Sequence, residues 1–142
     1  MAGAHELLDV SVATPLGHAL TAQAESVSAP SVEGELTVLP NHVPLLAALK
    51  AGLLKMQTGL KHELAAVGPG FLEVGPQRVL ILTEQLVRPA DVDVAEAQKD
   101  LARAQSELAA FGERHEGGAY EERQRAIDWA QARIDLVAEA AK

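Results

Sequence analysis

Apolar positions follow two different rhythms along this chain. Over residues 1–88 they come in short bursts, LLDVSVA, ELTVLP, GFLEVG and RVLILTE, punctuated by Gly, Pro and Asn. Brief, partly β-branched runs between turn residues predict strands. Alternation in Leu8-Asp9-Val10-Ser11-Val12 and in Leu36-Thr37-Val38-Leu39 predicts strands with one wet face. Val79 to Leu82 is continuously apolar, which predicts a strand covered on both sides. Many short strands separated by turns point to a sandwich or a barrel.

Beyond Pro89 there is no further proline, and Ala, Glu, Gln and Arg dominate. Val94, Ala97, Leu101, Ala104, Leu108 and Phe111 repeat at alternating spacings of three and four, the seam of a helix. Asp91 is the expected N-cap and Gly112 the expected stop. Residues 112–118, GERHEGG, predict a polar turn, after which a second seam runs through Tyr120, Ile127, Ala130, Ile134, Val137 and Ala141. Two helices of similar length joined by a short turn lie antiparallel. The pattern therefore predicts an α+β chain of two domains, strands over 1–88 and an antiparallel helical hairpin over 89–142. Trp129 and Leu136 share one stripe off the second seam, so that helix has a second apolar face. Its partner is either the chain's own sandwich, the favoured reading, or another protein.

Composition narrows the function. At 142 residues there is room for one ordinary domain or two small ones. The absence of cysteine excludes disulfides, thiolate metal sites and a cysteine nucleophile. Twelve basic against 20 acidic side chains leave a net charge of −8, which argues against binding a nucleic acid backbone. No apolar run approaches the roughly 18 residues of a membrane span, and MAGAHELLD does not read as a secretion signal. The expectation is a soluble acidic protein.

Chemistry is sparse. Histidines at 5, 18, 42, 62 and 115 have no metal-ligand spacing, and no phosphate loop or nucleophile elbow occurs. GPGFLEVG reads as turns between strands, and Glu33 and Glu35 read as a solvated loop. No catalytic residue, metal or cofactor is expected. One stretch stands out, EGELTVLPNHVPLLAALKAGLL at residues 33–54, with an acidic turn, a strand, a Pro-Asn-His-x-Pro turn and an apolar run.

That stretch resembles the epsilon subunit of the F-type ATP synthase. Gly34, Glu35, Leu36, Thr37, Val38, Leu39, Pro40, Asn41, His42, Val43, Pro44 and Leu45 follow the family signature, with Thr37 in place of a usual glycine and Val43 in place of a usual alanine. Val12-Ala13-Thr14-Pro15-Leu16-Gly17 matches the family's opening, Pro69-Gly70-Phe71-Leu72-Glu73-Val74 a central element, and Val79-Leu80-Ile81-Leu82-Thr83-Glu84 a later strand. With the helix pair after them, the resemblance covers nearly the whole chain.

The resemblance implies a flattened antiparallel β-sandwich of about ten strands followed by the two-helix domain. It also implies a non-catalytic rotor subunit of a proton-translocating synthase, peripheral to the cytoplasmic face of a bacterial inner membrane. The sandwich would clamp the gamma subunit and sit on the c-subunit ring; the matching loop, residues 33–44, would face that ring, with Glu35 and His42 carried over as contact candidates and Glu33 and Pro44 beside them. The hairpin would fold on the sandwich or extend into the alpha/beta hexamer and inhibit ATP hydrolysis, and Trp129 and Leu136 suit an element that exchanges partners. Arg103, Arg114, Arg123, Arg125 and Arg133 are candidates for pairing with acidic surfaces of that hexamer. Some relatives bind ATP through an arginine at the start of the first helix; here Val94 or, in a shifted alignment, Glu96 occupies that place, so no tight ATP site is expected. The alternative is a stand-alone sandwich adaptor with a helical dimerisation tail.

Overall fold

The computed structural model describes residues 6–17, 19–112 and 117–142; His5, His18, Arg114, His115 and most of the expected 112–118 turn lie outside them. Ten strands come first: β1 (Leu8–Ala13), β2 (Ala19–Ala24), β3 (Ser26–Ser31), β4 (Gly34–Val38), β5 (Leu45–Leu49), β6 (Gly52–Thr58), β7 (Lys61–Val67), β8 (Gly70–Val74), β9 (Arg78–Thr83) and β10 (Leu86–Val87). A 3-10 turn, Pro89–Asp91, leads into α1 (Val94–Ala109) and α2 (Gly118–Ala140).

The strands hydrogen-bond in the order β10-β7-β6-β3-β5-β8-β9-β1-β2, with β4 added alongside β3. The run of pairings narrows to one residue pair, Ser31 with Leu49, between β3 and β5. There the ribbon folds over into two layers. All described strand pairs are antiparallel except β1 with β9, which run parallel. The sandwich is antiparallel as expected, with this one parallel pair where β1 lies between β2 and β9.

Period-two alternation decides which side chains fill the sandwich. Leu8, Val10, Val12, Leu72, Val74, Val79 and Ile81 from one layer meet Val27, Ala29, Val38, Leu54, Met56 and Val67 from the other, all buried. Gly70 stands where the layer is tightest. A Cβ there would collide with the Leu82 carbonyl oxygen and lie 2.8 Å from Thr83 Cα, so β8 and β9 approach this closely only with glycine. Thr83, buried beside it, donates its hydroxyl to the Gly68 carbonyl at 2.8 Å.

The first helix begins two residues later than the capping pattern suggests. Pro89 starts a 3-10 turn that absorbs Asp91, and Val92 returns to extended backbone. Asp93 then caps α1, its side chain accepting from the Glu96 N–H at 3.1 Å. Gly112 follows α1 at φ 62, a conformation natural for glycine just beyond a helix end. The hairpin packs on small residues, with Ala97 and Ala104 of α1 and Ala130 of α2 buried. At its far end Phe111 and Tyr120 meet edge-to-face, centroids 5.8 Å apart. Two ion pairs also cross between the helices, Arg133 with Asp100 at 2.9 Å and Arg123 with Glu107.

Candidate functional site

The two layers expose very different outer faces. On the β6–β7 layer, Leu53, Leu64 and Ala66 point outward, and α2 covers them with Trp129, Ala132 and Leu136. Ala66 and Leu136 are both fully buried there. Val87 and Val92 pack against the same cluster. The second apolar stripe of α2 is thus spent on the chain's own sandwich.

Among the described residues nothing covers the opposite layer in the same way. Strand register sets Ala48, Phe71, Leu82 and Ala13 in one cross-strand row over β5, β8, β9 and β1. Phe71 is 58% exposed, Leu82 50% and Leu46, one row away, 68%. Pro15 and Pro69 help to rim a shallow concavity of about 680 Å³ over this row. A contiguous apolar surface of this kind marks an interaction site, since water penalises leaving it bare. It also corrects an expectation. Val79 and Ile81 are buried, but Leu80 is only half-buried and Leu82 is half exposed, so β9 is covered on one side alone.

That discrepancy is the signal by which the surface could have been found. A strand apolar on both faces, at a place where its own chain covers one, calls for a second cover. Leu46 carries the same mark, in the wholly apolar Leu45–Leu49 of β5, whereas Phe71 does not, because the next outward position on β8 is Glu73.

The acidic and histidine candidates are not gathered into one site. Glu33 lies in the exposed turn between β3 and β4, where its N–H bonds the Ser31 hydroxyl at 3.2 Å. Glu35 is exposed on β4. His42 and Pro44 lie beyond the other end of that strand, roughly 14 Å away along β4. There Asn41 takes φ 65, its N–H bonds the Pro76 carbonyl at 2.8 Å, and its side chain bonds Glu6. The His42 ring nitrogen Nδ1 lies 2.7 Å from the Val43 carbonyl. Leu39, 55% exposed, and Val43, 71%, project at this end, and the fully exposed Leu60 caps the β6–β7 hairpin nearby. The Gly59 N–H bonds the Glu25 carboxylate, which ties that hairpin tip to the same end.

Of the arginine candidates, Arg123 and Arg133 are engaged between the helices, whereas Arg103 and Arg125 are exposed. Val94 is the half-buried first residue of α1. At the C-terminal end of α2, Glu139 lies 3.1 Å from Lys142 and 4.0 Å from Lys55 of β6. The hydrogen bond and charge of Lys142 hold its carboxyl below the usual glutamate range, with burial opposing and Lys55 adding a smaller pull. Among the described residues no cluster of three His, Asp or Glu converges on a metal-sized site.

Residues 7–89 match the family described as ATP synthase, Delta/Epsilon chain, beta-sandwich domain. The chain is similar to the ATP synthase epsilon chain of Halalkalibacterium halodurans, 36% identical over 129 residues covering 91% of this chain and 89% of the relative. It is 47% identical to that of Anoxybacillus flavithermus over 91 residues, which cover 64% of this chain and 68% of the relative. Its fold resembles a chain in the cryo-EM structure of the Euglena gracilis mitochondrial ATP synthase, OSCP/F1/c-ring, with a TM-score of 0.74 at 19% identity over 99% of this chain and 85% of that one. A chain of the Tetrahymena thermophila mitochondrial ATP synthase central stalk and c-ring gives a TM-score of 0.54 at 16% identity, over 95% and 96%.

Proposed function

Because this chain belongs to the ATP synthase epsilon-chain family, we propose that it works as a non-catalytic rotor subunit whose bare β5-β8-β9-β1 face seats the gamma shaft. The observation that carries this reading is the Ala48-Phe71-Leu82-Ala13 row, apolar, exposed and contiguous on a layer whose inner side is fully packed. A rotor coupler must transmit torque, and a flat, stiff sheet face does so better than a loop. The end bearing Leu39, Val43, His42 and Pro44 then faces the c-subunit ring, peripheral to the cytoplasmic side of a bacterial inner membrane. No helix of the described residues is long and apolar enough to cross a membrane, so attachment runs through these partners.

Residues 1–88 form the contact domain in this proposal, and residues 89–142 the regulatory one. Docked on β6–β7, the hairpin leaves the gamma face untouched, so both can be engaged at once. Released, its Trp129–Leu136 stripe becomes available to the alpha/beta subunits, where the hairpin restrains ATP hydrolysis. The stand-alone adaptor would need a dimerising tail, yet the tail's apolar stripe is already used on the sandwich.

The test is co-purification with recombinant gamma. Wild-type protein binds one-to-one; Phe71→Glu and Leu82→Glu, both at exposed positions, fold normally and lose binding. Retained binding by both variants rejects the assigned face. Deleting residues 90–142 leaves binding intact and raises ATP hydrolysis by the complex; unchanged hydrolysis rejects the regulatory role.

A further inference from the structure

The hairpin has two separate sets of contacts, α1 against α2 and α2 against the sheet. One side chain takes part in both. Arg133 of α2 donates from Nη2 to Asp100 of α1 at 2.9 Å, and its side chain is only 17% exposed. Its guanidinium carbon also lies 5.7 Å from the centre of the Trp129 ring. Its Nε donates to the Trp129 carbonyl one turn earlier, at 3.4 Å. Trp129 in turn packs on the cluster of Ala66, Ala132 and Leu136 that joins α2 to the sheet.

We propose that the Asp100–Arg133–Trp129 chain couples docking to closure, so that α2 leaving the sheet and α1 leaving α2 are one linked step. The physical reason is shielding. While α2 is docked, Trp129 is fixed by the sheet and forms an apolar wall for the guanidinium, which strengthens the charge-assisted bond to Asp100. When α2 lifts, the ring loses its seat, Arg133 becomes solvated, and its pairing with Asp100 weakens toward that of an ordinary surface ion pair. Linkage is reciprocal, so loss of the Asp100 bond loosens docking by the same factor. The Arg123–Glu107 pair crosses the same two helices nearer their connecting turn and provides an internal control. This coupling belongs to the isolated chain and does not depend on the rotor assignment.

Native-state thiol labelling of the full chain tests it, since the sequence contains no cysteine. An Ala66→Cys probe lies under α2 and reports undocking; an Ala104→Cys probe lies between the helices and reports hairpin opening. With fast reclosing, each labelling rate measures the opened fraction. Asp100→Asn, although on α1, speeds labelling at position 66 about fivefold, a typical coupling for contacting groups. Arg133→Met does the same, and Leu136→Ala speeds labelling at position 104. Glu107→Gln leaves the rate at position 66 within about twofold, as expected for a surface pair. Wild-type rates at position 66 in both Asp100→Asn and Arg133→Met overturn the proposal. So does an equal acceleration by Glu107→Gln, which would mean that any loosening of the hairpin undocks it.

Discussion

Leu136→Ala isolates the docking of the hairpin from the stability of the sandwich. Leu136 is fully buried against Ala66 and Ala132, with Leu53, Leu64 and Trp129 around it. Truncation removes three carbons, about 2.4 kcal/mol of transfer free energy at about 0.8 kcal/mol each. A cavity adds to this, but a helix lying on a sheet can settle into the gap, so the total falls at about 3 kcal/mol, in the lower part of the usual range. The docked-to-undocked ratio therefore drops roughly a hundredfold. The single tryptophan, Trp129, sits in this interface and reports it directly. In urea, the variant's Trp129 emission changes at lower concentration than in wild type, while amide protection in β8 and β9 is retained. Equal loss of protection in β8 and β9 would show that hairpin and sandwich unfold as one unit. Unmoved Trp129 emission would show that Leu136 does not hold the hairpin down.

Two other perturbations probe different levels of the same structure. Gly70→Ala forces a Cβ against the Leu82 carbonyl and Thr83, so the sandwich loses about 3 kcal/mol and its urea midpoint falls by roughly 2 M, read from β8–β9 amide protection. Glu139→Gln makes docking pH-independent at this site. Lys142 and, more weakly, Lys55 hold the Glu139 carboxyl below its ordinary range, and of the two only Lys55 lies on the sheet. It is therefore the pairing of ionised Glu139 with Lys55 that favours the docked state at neutral pH and disappears as pH falls through the folded value. Wild type and variant thus differ in Trp129 urea midpoint near pH 7 and converge in acid. Lys55→Met reproduces this difference and Lys142→Met does not, since Lys55 stays on the sheet whereas Lys142 travels with α2 and keeps its pairing with Glu139 when the helix lifts.

The layers, the hairpin and the switch from strand to helix after Pro89 were legible because each rests on local periodicity. Alternation over Leu8–Val12 emerges as the inward Leu8, Val10 and Val12 of β1, and the two seams emerge as the buried alanines of α1 and α2. The capping pattern points to Asp91, whereas Asp93 is the cap, because Pro89 starts a 3-10 turn that the pattern alone does not reveal. What sequence could not supply is long-range. Glu33 and His42 are close along the chain yet lie at opposite ends of a straight strand, since an extended backbone carries neighbours apart at about 3.4 Å per residue. The bare face depends on register among β5, β8, β9 and β1, in which Phe71 and Leu82 become neighbours only through pairing. The uninterrupted Val79–Leu82 run and the wholly apolar Leu45–Leu49 were the local signs of it. Such strands point to two covers, and the described residues supply one.

Side-chain footprinting of the assembled rotor bears most directly on the role of that face. Hydroxyl radicals oxidise Phe71, Leu82 and Leu46 freely in the isolated chain, where all three are exposed. In complex with gamma, oxidation of these three falls by about tenfold, as expected for a fully desolvated interface core, while the fully exposed Leu60 remains reactive unless the c ring is added. Undiminished oxidation of Phe71 and Leu82 in a complex that contains gamma would contradict the account.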